Sequence, residues 1–434
     1  MTAVRLAVMI VVASAALAQT ASEAELLNRI RQLEARLAAV EAKLNASAIP
    51  SQPAQRASAE PSPGPPQISV NAYLDGYFSY NFSRPLGRIN LLRAYDVTSN
   101  NFSLNQATLV LERPPDTGSG RRFGIRLDLM YGQGTETLQG GAQNEPRPQV
   151  FRPVFQAYGT YVFPLGNGLR IDFGKWASSL GFEGNYAKDQ INYSRSYWFN
   201  FLPFYHFGFR SSYQVNDRLI LTHWLVNGAN QTEDFNGFKS QHLLLSWKPA
   251  SSVTWSIGYY AGREQRDLEP LLNPGLPALP TQPGLSTALF RPVPRGRLHI
   301  LDSYAAWDAT PRLTLVGEAD YVVNRVEAVS PPALVYGGAG YARYQFTPKF
   351  SLGMRFGWLR DRAGLFSGTD QLLKDTTLTT TYQVDTGFQL RAEIRRDWSN
   401  MPFFLTAEPG ILKPDQATAT LGLIWWIGSK EGGW

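Results

Sequence analysis

The chain of 434 residues contains no cysteine, which removes disulfide frameworks, thiolate metal sites and cysteine nucleophiles from consideration. Histidine is scarce: His206, His223, His242 and His299 stand in four separate segments, none in a recognisable nucleophile motif. Serine hydrolysis needs an imidazole base beside the nucleophile, so enzyme activity is not expected. No H-E-x-x-H, EF-hand, Walker or dinucleotide glycine pattern occurs, and no metal or cofactor is expected. Asn227-Gly228 with Asn230, Glu233, Asp234 and Asn236 has irregular spacing and reads as a hydrated loop. Charged residues make up only 18%, and no run of about 18 apolar residues is present to cross a membrane as a helix. Charge of one sign is also lacking in force. Residues 67–434 carry 35 basic and 30 acidic side chains, an excess too mild for nucleic-acid binding and at most a hint of anion bias in a pore.

The first residues carry Arg5, an apolar run from Leu6 to Leu17, and Ala16-Leu17-Ala18 ahead of Gln19. This pattern predicts a signal peptide over 1–18, cut between Ala18 and Gln19, and export from the cytoplasm. Ser22 and Glu25 then form a capping box. Leu26, Ile30, Leu33, Leu37, Val40 and Leu44 follow at alternating spacings of four and three. That rhythm predicts a coiled-coil helix over 19–45, and one chain alone does not bury such a seam. Self-association is therefore expected, as a homotrimer. Residues 46–66 are rich in Pro, Ser and Ala and read as a semi-extended linker.

From Gln67 the period changes to two. Ile68, Val70, Ala72, Leu74, Gly76, Phe78, Tyr80 and Phe82 fall on one face, with Ser69, Asn71, Tyr73, Asp75, Tyr77, Ser79 and Asn81 on the other. Such a run exceeds the usual soluble strand of roughly 5–6 residues and suits a tilted membrane strand. The alternation returns over 123–131, 313–324 and 384–395. Aromatics repeat near strand ends, at Tyr158, Tyr161, Trp247, Trp255, Tyr259, Tyr344, Phe346, Trp425 and Trp426, as girdles at two membrane interfaces would need. Short turns alternate with long connections such as 132–152, 181–197 and 262–295. The reading is all-β: a transmembrane antiparallel barrel of about 14–16 strands over 67–434, in the outer membrane and in contact with its lipid.

The last strand, Thr420-Leu421-Gly422-Leu423-Ile424-Trp425-Trp426-Ile427, resembles the final-strand signature of outer-membrane barrels. The resemblance implies recognition by the barrel assembly machinery through Gly422, Trp425 and Ile427, although Gly428 to Trp434 extend past it. The stretch Arg170 to Trp176, continuing through Gly181-Phe182-Glu183, resembles the OmpL-like family of outer-membrane porins, as does Tyr197 to Phe209 with Pro203, His206 and Gly208. The resemblance runs from about Asp75 to the end. It implies a pore-like barrel without a defined substrate.

A pore acts on solutes through side chains in its lumen. Strand parity places Arg126, Asp128, Arg170, Asp172, Arg210, Glu318, Asp320, Arg355, Arg391, Glu393 and Arg395 there. Such charges also pair across strands for structure alone. The constricting loop is expected at 181–197, with Glu183, Lys188, Asp189 and Arg195; the Pro-rich 262–295 is the rival and reads better as a stiff outer cap. The expected work is passive diffusion of small hydrophilic solutes or ions. A structural barrel tethered to the envelope by its coiled coil is the alternative, and a barrel-borne hydrolase is weaker still.

Overall fold

The structure is a computed structural model that describes residues 68–428 apart from 140–144, 146, 271–289, 293–294 and 328, together with Asn28, Arg31, Gln32, Ala35 and Arg36. The chain divides into two units, Met1–Pro63 and Gly64–Trp434. In the first, the five described residues are helical and exposed. The expected signal segment, the seam from Leu26 to Leu44 and the linker lie outside the described residues.

In the second unit, period-2 segments form strands in chain order: β1 (Ser69–Asn81), β2 (Asn101–Arg113), β3 (Phe123–Tyr131), β4 (Val154–Phe163), β5 (Leu169–Ala177), β6 (Tyr205–Asn216), β7 (Leu219–Val226), β8 (Ser240–Ala250) and β9 (Val253–Gly262). After the short β10 (Leu268–Pro270) and β11 (Phe290–Pro292) come β12 (Leu298–Thr310), β13 (Leu313–Asn324), β14 (Ala333–Thr347), β15 (Phe350–Arg362), β16 (Gln371–Asp385) and β17 (Phe388–Ser399). The short β18 (Phe404–Leu405) and β19 (Leu412–Lys413) precede β20 (Asp415–Ile427). Sixteen strands close into one antiparallel barrel, β1–β9, β12–β17 and β20, while β10–β11 and β18–β19 pair as separate ribbons. The count is the upper end of the expected range. Closure is made by β1 against β20, from Ala72 opposite Ile427 to Asn81 opposite Thr418, so the sheet has no free edge.

Tight turns such as 217–218, 251–252, 311–312, 348–349 and 386–387 gather at one end, and connections such as 82–100, 132–153, 178–204 and 263–297 at the other. Side chains alternate across the wall. Phe123, Ile125, Phe173, Phe209, Leu243, Leu301, Phe356 and Ile394 are exposed on the outside, where lipid would replace water. Aromatic pairs collect beside the tight turns: Trp247 and Trp255 have ring centroids 6.0 Å apart, Tyr344 and Phe346 4.8 Å, and Phe388 stacks on Trp425 at 4.9 Å. Two expected girdle residues are corrections. Tyr158 lies on the inner face beneath the Arg210 guanidinium, and Trp426 faces inward beneath the ammonium of Lys188. Both sit near a strand end, but the alternation points them into the barrel.

Candidate functional site: the lumen and its inward loop

The connection 178–204 between β5 and β6 folds into the barrel. Its base is closed by the Ser178 amide donating to the Phe204 carbonyl at 2.8 Å. From there Tyr186, Tyr193, Tyr197 and Trp198 are buried within the barrel, giving the lumen a packed aromatic filling. Burial pushes the Tyr186, Tyr193 and Tyr197 hydroxyls well above the ordinary phenol range, so they act as neutral donors.

Those donors find carboxylates on the wall. Tyr193 donates to Asp75 Oδ1 at 2.8 Å, Tyr197 to Asp397 Oδ1 at 2.7 Å and Tyr186 to Asp128 Oδ2 at 3.0 Å. The loop backbone is held as well. Glu393 Oε2 accepts from the Tyr193 amide at 2.7 Å, and Oε1 from that of Ser194 at 3.1 Å. Arg355 Nη1 donates to the Ser194 carbonyl at 2.7 Å and meets Glu183 Oε1 at 3.2 Å. Asn192 Nδ2 reaches Thr379 at 2.8 Å, and the Ala187 amide reaches the Tyr73 hydroxyl at 3.0 Å. The wall makes room at two glycines: a Cβ on Gly353 would lie 2.5 Å from the Ile191 carbonyl, and one on Gly422 2.5 Å from the Tyr193 ring.

All eleven residues assigned to the lumen by parity are on the inner face, and the loop sorts them into two sets. Arg355, Arg391, Glu393 and Arg395 lie on β15 and β17 beneath the loop and are buried. The charges of Arg355 and Arg395 join a chain of close pairs: Arg355 with Asp375 at 2.9 Å, Arg395 with Asp397 at 2.7 Å, and Asp397 with Arg93 of the connection 82–100 at 2.7 Å. Such pairs offset the cost of taking charge out of water. Glu318 and Asp320 are buried on β13. Across the barrel, on β3 to β6, the arginines keep contact with water while their partner carboxylates do not. The side chains of Arg170, Arg210 and Arg126 are 40%, 19% and 9% exposed, against 1% for Asp172 and 0% for Asp128. Asp172 accepts from Arg170 at 2.9 Å and pairs with Arg210 at 2.7 Å; Asp128 accepts from Arg126 at 2.8 Å. The inner surface there presents guanidinium edges.

Between that wall and the loop lies a cavity of about 290 Å³, lined among others by Arg126, Gln156, Tyr158, Glu183, Tyr186 and Arg210. The expected loop residues have different places. Glu183 caps the Ser196 amide at 2.6 Å, and Lys188 pairs with Asp189 at 2.8 Å. Arg195 is buried and spends its guanidinium on the carbonyls of Gly184, Asn185 and Tyr193, which makes it a brace of the loop itself.

Two groupings escaped the sequence. Asp302 on β12 stands opposite Asp320 and near Glu318, a trio of buried carboxylates; parity within 298–310 would have placed it inward. His206 Nε2 lies 3.3 Å from Ser178 Oγ, and its Nδ1 lies 3.1 Å from the Gly228 carbonyl. The imidazole is fully buried, and its Nδ1 faces the Gly228 carbonyl where a catalytic triad places a carboxylate.

The fold has solved counterparts. The anion-selective porin from Comamonas acidovorans aligns with TM-score 0.52 at 9% identity, over 83% of this chain and 99% of that one. The outer-membrane OmpT of Vibrio cholerae aligns with TM-score 0.50 at 10% identity, over 83% and 97%. No curated protein matches in sequence. The family described as "Putative beta-barrel porin-2, OmpL-like" matches residues 67–425, which is the whole barrel but for its last residues. The chain belongs to that OmpL-like porin family of the outer membrane.

Proposed function

We propose that the barrel is a water-filled pore for passive diffusion of small hydrophilic solutes, with anions favoured over cations. The observation that carries this is the loop 178–204, which lies inside a closed barrel against β1, β3 and β13–β17 and borders a cavity lined by Arg126 and Arg210, with Arg170 beside Arg210 on the same wall. Fixed positive groups lining a narrow aqueous gap raise the local anion concentration and lower that of cations. A space of about 290 Å³ beside the loop favours solutes at the small end of ordinary ligand sizes. The full chain refolded into a planar bilayer under a salt gradient tests the reading. Stepwise openings with an anion-directed reversal potential, reduced in Arg126→Gln/Arg170→Gln/Arg210→Gln, are expected. A folded barrel that never opens would overturn it.

Export with cleavage between Ala18 and Gln19, trimer formation through 19–45, and recognition of Gly422, Trp425 and Ile427 by the assembly machinery complete the proposal. The seam of Leu26, Ile30, Leu33, Leu37, Val40 and Leu44 supports the trimer. Tethering to the envelope through the same segment is compatible with a pore. Deleting residues 19–66 would then loosen attachment while conductance persists. Among the described residues, the Ser178–His206 contact is the feature that favours hydrolysis. Esterase activity that disappears in Ser178→Ala would establish it.

A further inference from the structure

The buried carboxylates of this barrel fall into two kinds. Most are compensated. Asp128, Asp172, Asp375, Asp397 and Glu183 each have an arginine within 3.2 Å, and Glu393 and Asp75 are met by amide or hydroxyl donors. Asp302 and Asp320 have neither. They face each other across β12 and β13, Asp302 is fully buried and Asp320 is 4% exposed, and all four of their carboxylate oxygens lack a hydrogen-bond partner. The Gly181 amide approaches Asp302, and the two carboxyl groups lie close enough to each other to share a proton. Among the described residues, no lysine, arginine or histidine forms an ion pair with either of them. Leaving two ionised carboxylates side by side in this way costs several kcal/mol, so the pair is compensated either by a shared proton or by a bound cation.

Glu318 is the third member. One oxygen from each of the three residues lies within 4.8 Å of the others. Oxygen ligands at roughly 2.3–2.6 Å from a shared calcium ion stand at most about 5 Å apart, a spacing these three oxygens satisfy. Glu318 Oε1 also accepts from the Phe182 amide at 2.8 Å, and Oε2 from the Tyr341 hydroxyl at 2.8 Å. Each of its oxygens retains a lone pair, and the residue is already fastened to the start of the inward loop.

We propose that Asp302, Glu318 and Asp320 bind one divalent cation of the calcium type in the barrel wall, and that this ion fixes the start of loop 178–204. The site stands apart from any conduction role, because its evidence is the uncompensated charge and not the pore. Its occupant is hard, oxygen-seeking and doubly charged, which the donor set selects over softer metals.

The full chain, refolded in detergent free of lipopolysaccharide and stripped with EDTA, is titrated with Tb³⁺ and then with Ca²⁺. Thermal unfolding is followed in EDTA and in Ca²⁺. Wild type should bind Tb³⁺ that Ca²⁺ displaces, and Ca²⁺ should raise its unfolding temperature more than that of Asp302→Asn/Asp320→Asn. In EDTA the order should reverse, since the amides carry no charge to bury. If the double variant does not fold, Asp302→Asn alone serves the same comparison. An equal Ca²⁺ response in folded wild type and variant, or no Tb³⁺ binding by wild type, would overturn the proposal and leave shared protons as the compensation.

Discussion

Tyr193 and Gly422 occupy one volume: the ring of the loop tyrosine sits where a side chain at position 422 would be, 2.5 Å from its Cβ position. The last barrel strand is thus shaped for the loop that crosses it. In the same ring position the Tyr193 hydroxyl reaches Asp75 on the neighbouring β1.

Gly422→Ala should therefore push the loop off the wall. Overpacking of this kind costs about 1–3 kcal/mol, and the single-channel conductance should change or become unsteady. Refolding in vitro separates this effect from any effect on assembly in cells. In a Tyr193→Ala background the same Gly422→Ala substitution should have little further effect. Equal penalties in both backgrounds would refute the shared volume.

Glu393→Ala removes the acceptor of two loop amides and of the Thr379 hydroxyl at 2.6 Å. Leaving buried donors unmatched costs roughly 1–3 kcal/mol. The loop should become sensitive to protease from the open end while the strands remain protected. Protection of 178–204 equal to wild type would show that the remaining contacts suffice.

Stability should depend on pH through Asp96. Burial in the connection 82–100 raises its carboxyl to about 6, against the lowering pull of Arg93 at 2.8 Å. A raised carboxyl favours folding fully below its unfolded value near 4, and that contribution is lost as pH rises through about 6. Wild type should thus lose up to about 3 kcal/mol relative to Asp96→Asn between pH 3.5 and pH 8. Urea unfolding of both proteins at the two pH values measures it. A difference that does not move with pH would rule out the titration.

Leu33→Pro/Leu37→Pro should abolish heat-resistant oligomers on gels, because proline breaks a helix interior. The barrel should still fold. Unchanged oligomers would place any association elsewhere.

Much of the lumen was legible because strand alternation is a local property: parity alone put Arg126 and Arg395 on the same inner face. It did not tell them apart. Arg126 lines the cavity beside the loop, whereas Arg395 is sealed by a loop carbonyl, that of Arg195, which the chain brings back from a distant segment. Coverage depends on where loop 178–204 travels, and its path is set by partners such as Glu393 and Asp397 far along the chain. Tyr158 and Trp426 were misplaced because closeness to a strand end outweighed their parity. Arg195 read as a pore charge since nothing local announces that its donors go to its own loop. Asp302 was within reach of the same alternation that found Glu318.

The seam between β1 and β20 joins the beginning of the barrel to its end. The pairs from β1–β2 through β16–β17 can form while the chain is still being delivered, but this one and the β17–β20 pair wait for the final strand. Contacts of such long sequence separation are slow to form, and until they do two raw edges are exposed to other strands. A chain that stops short of β20 therefore leaves β1 and β17 each without a partner on one side. Closure of the ring thus reports that β20 has arrived.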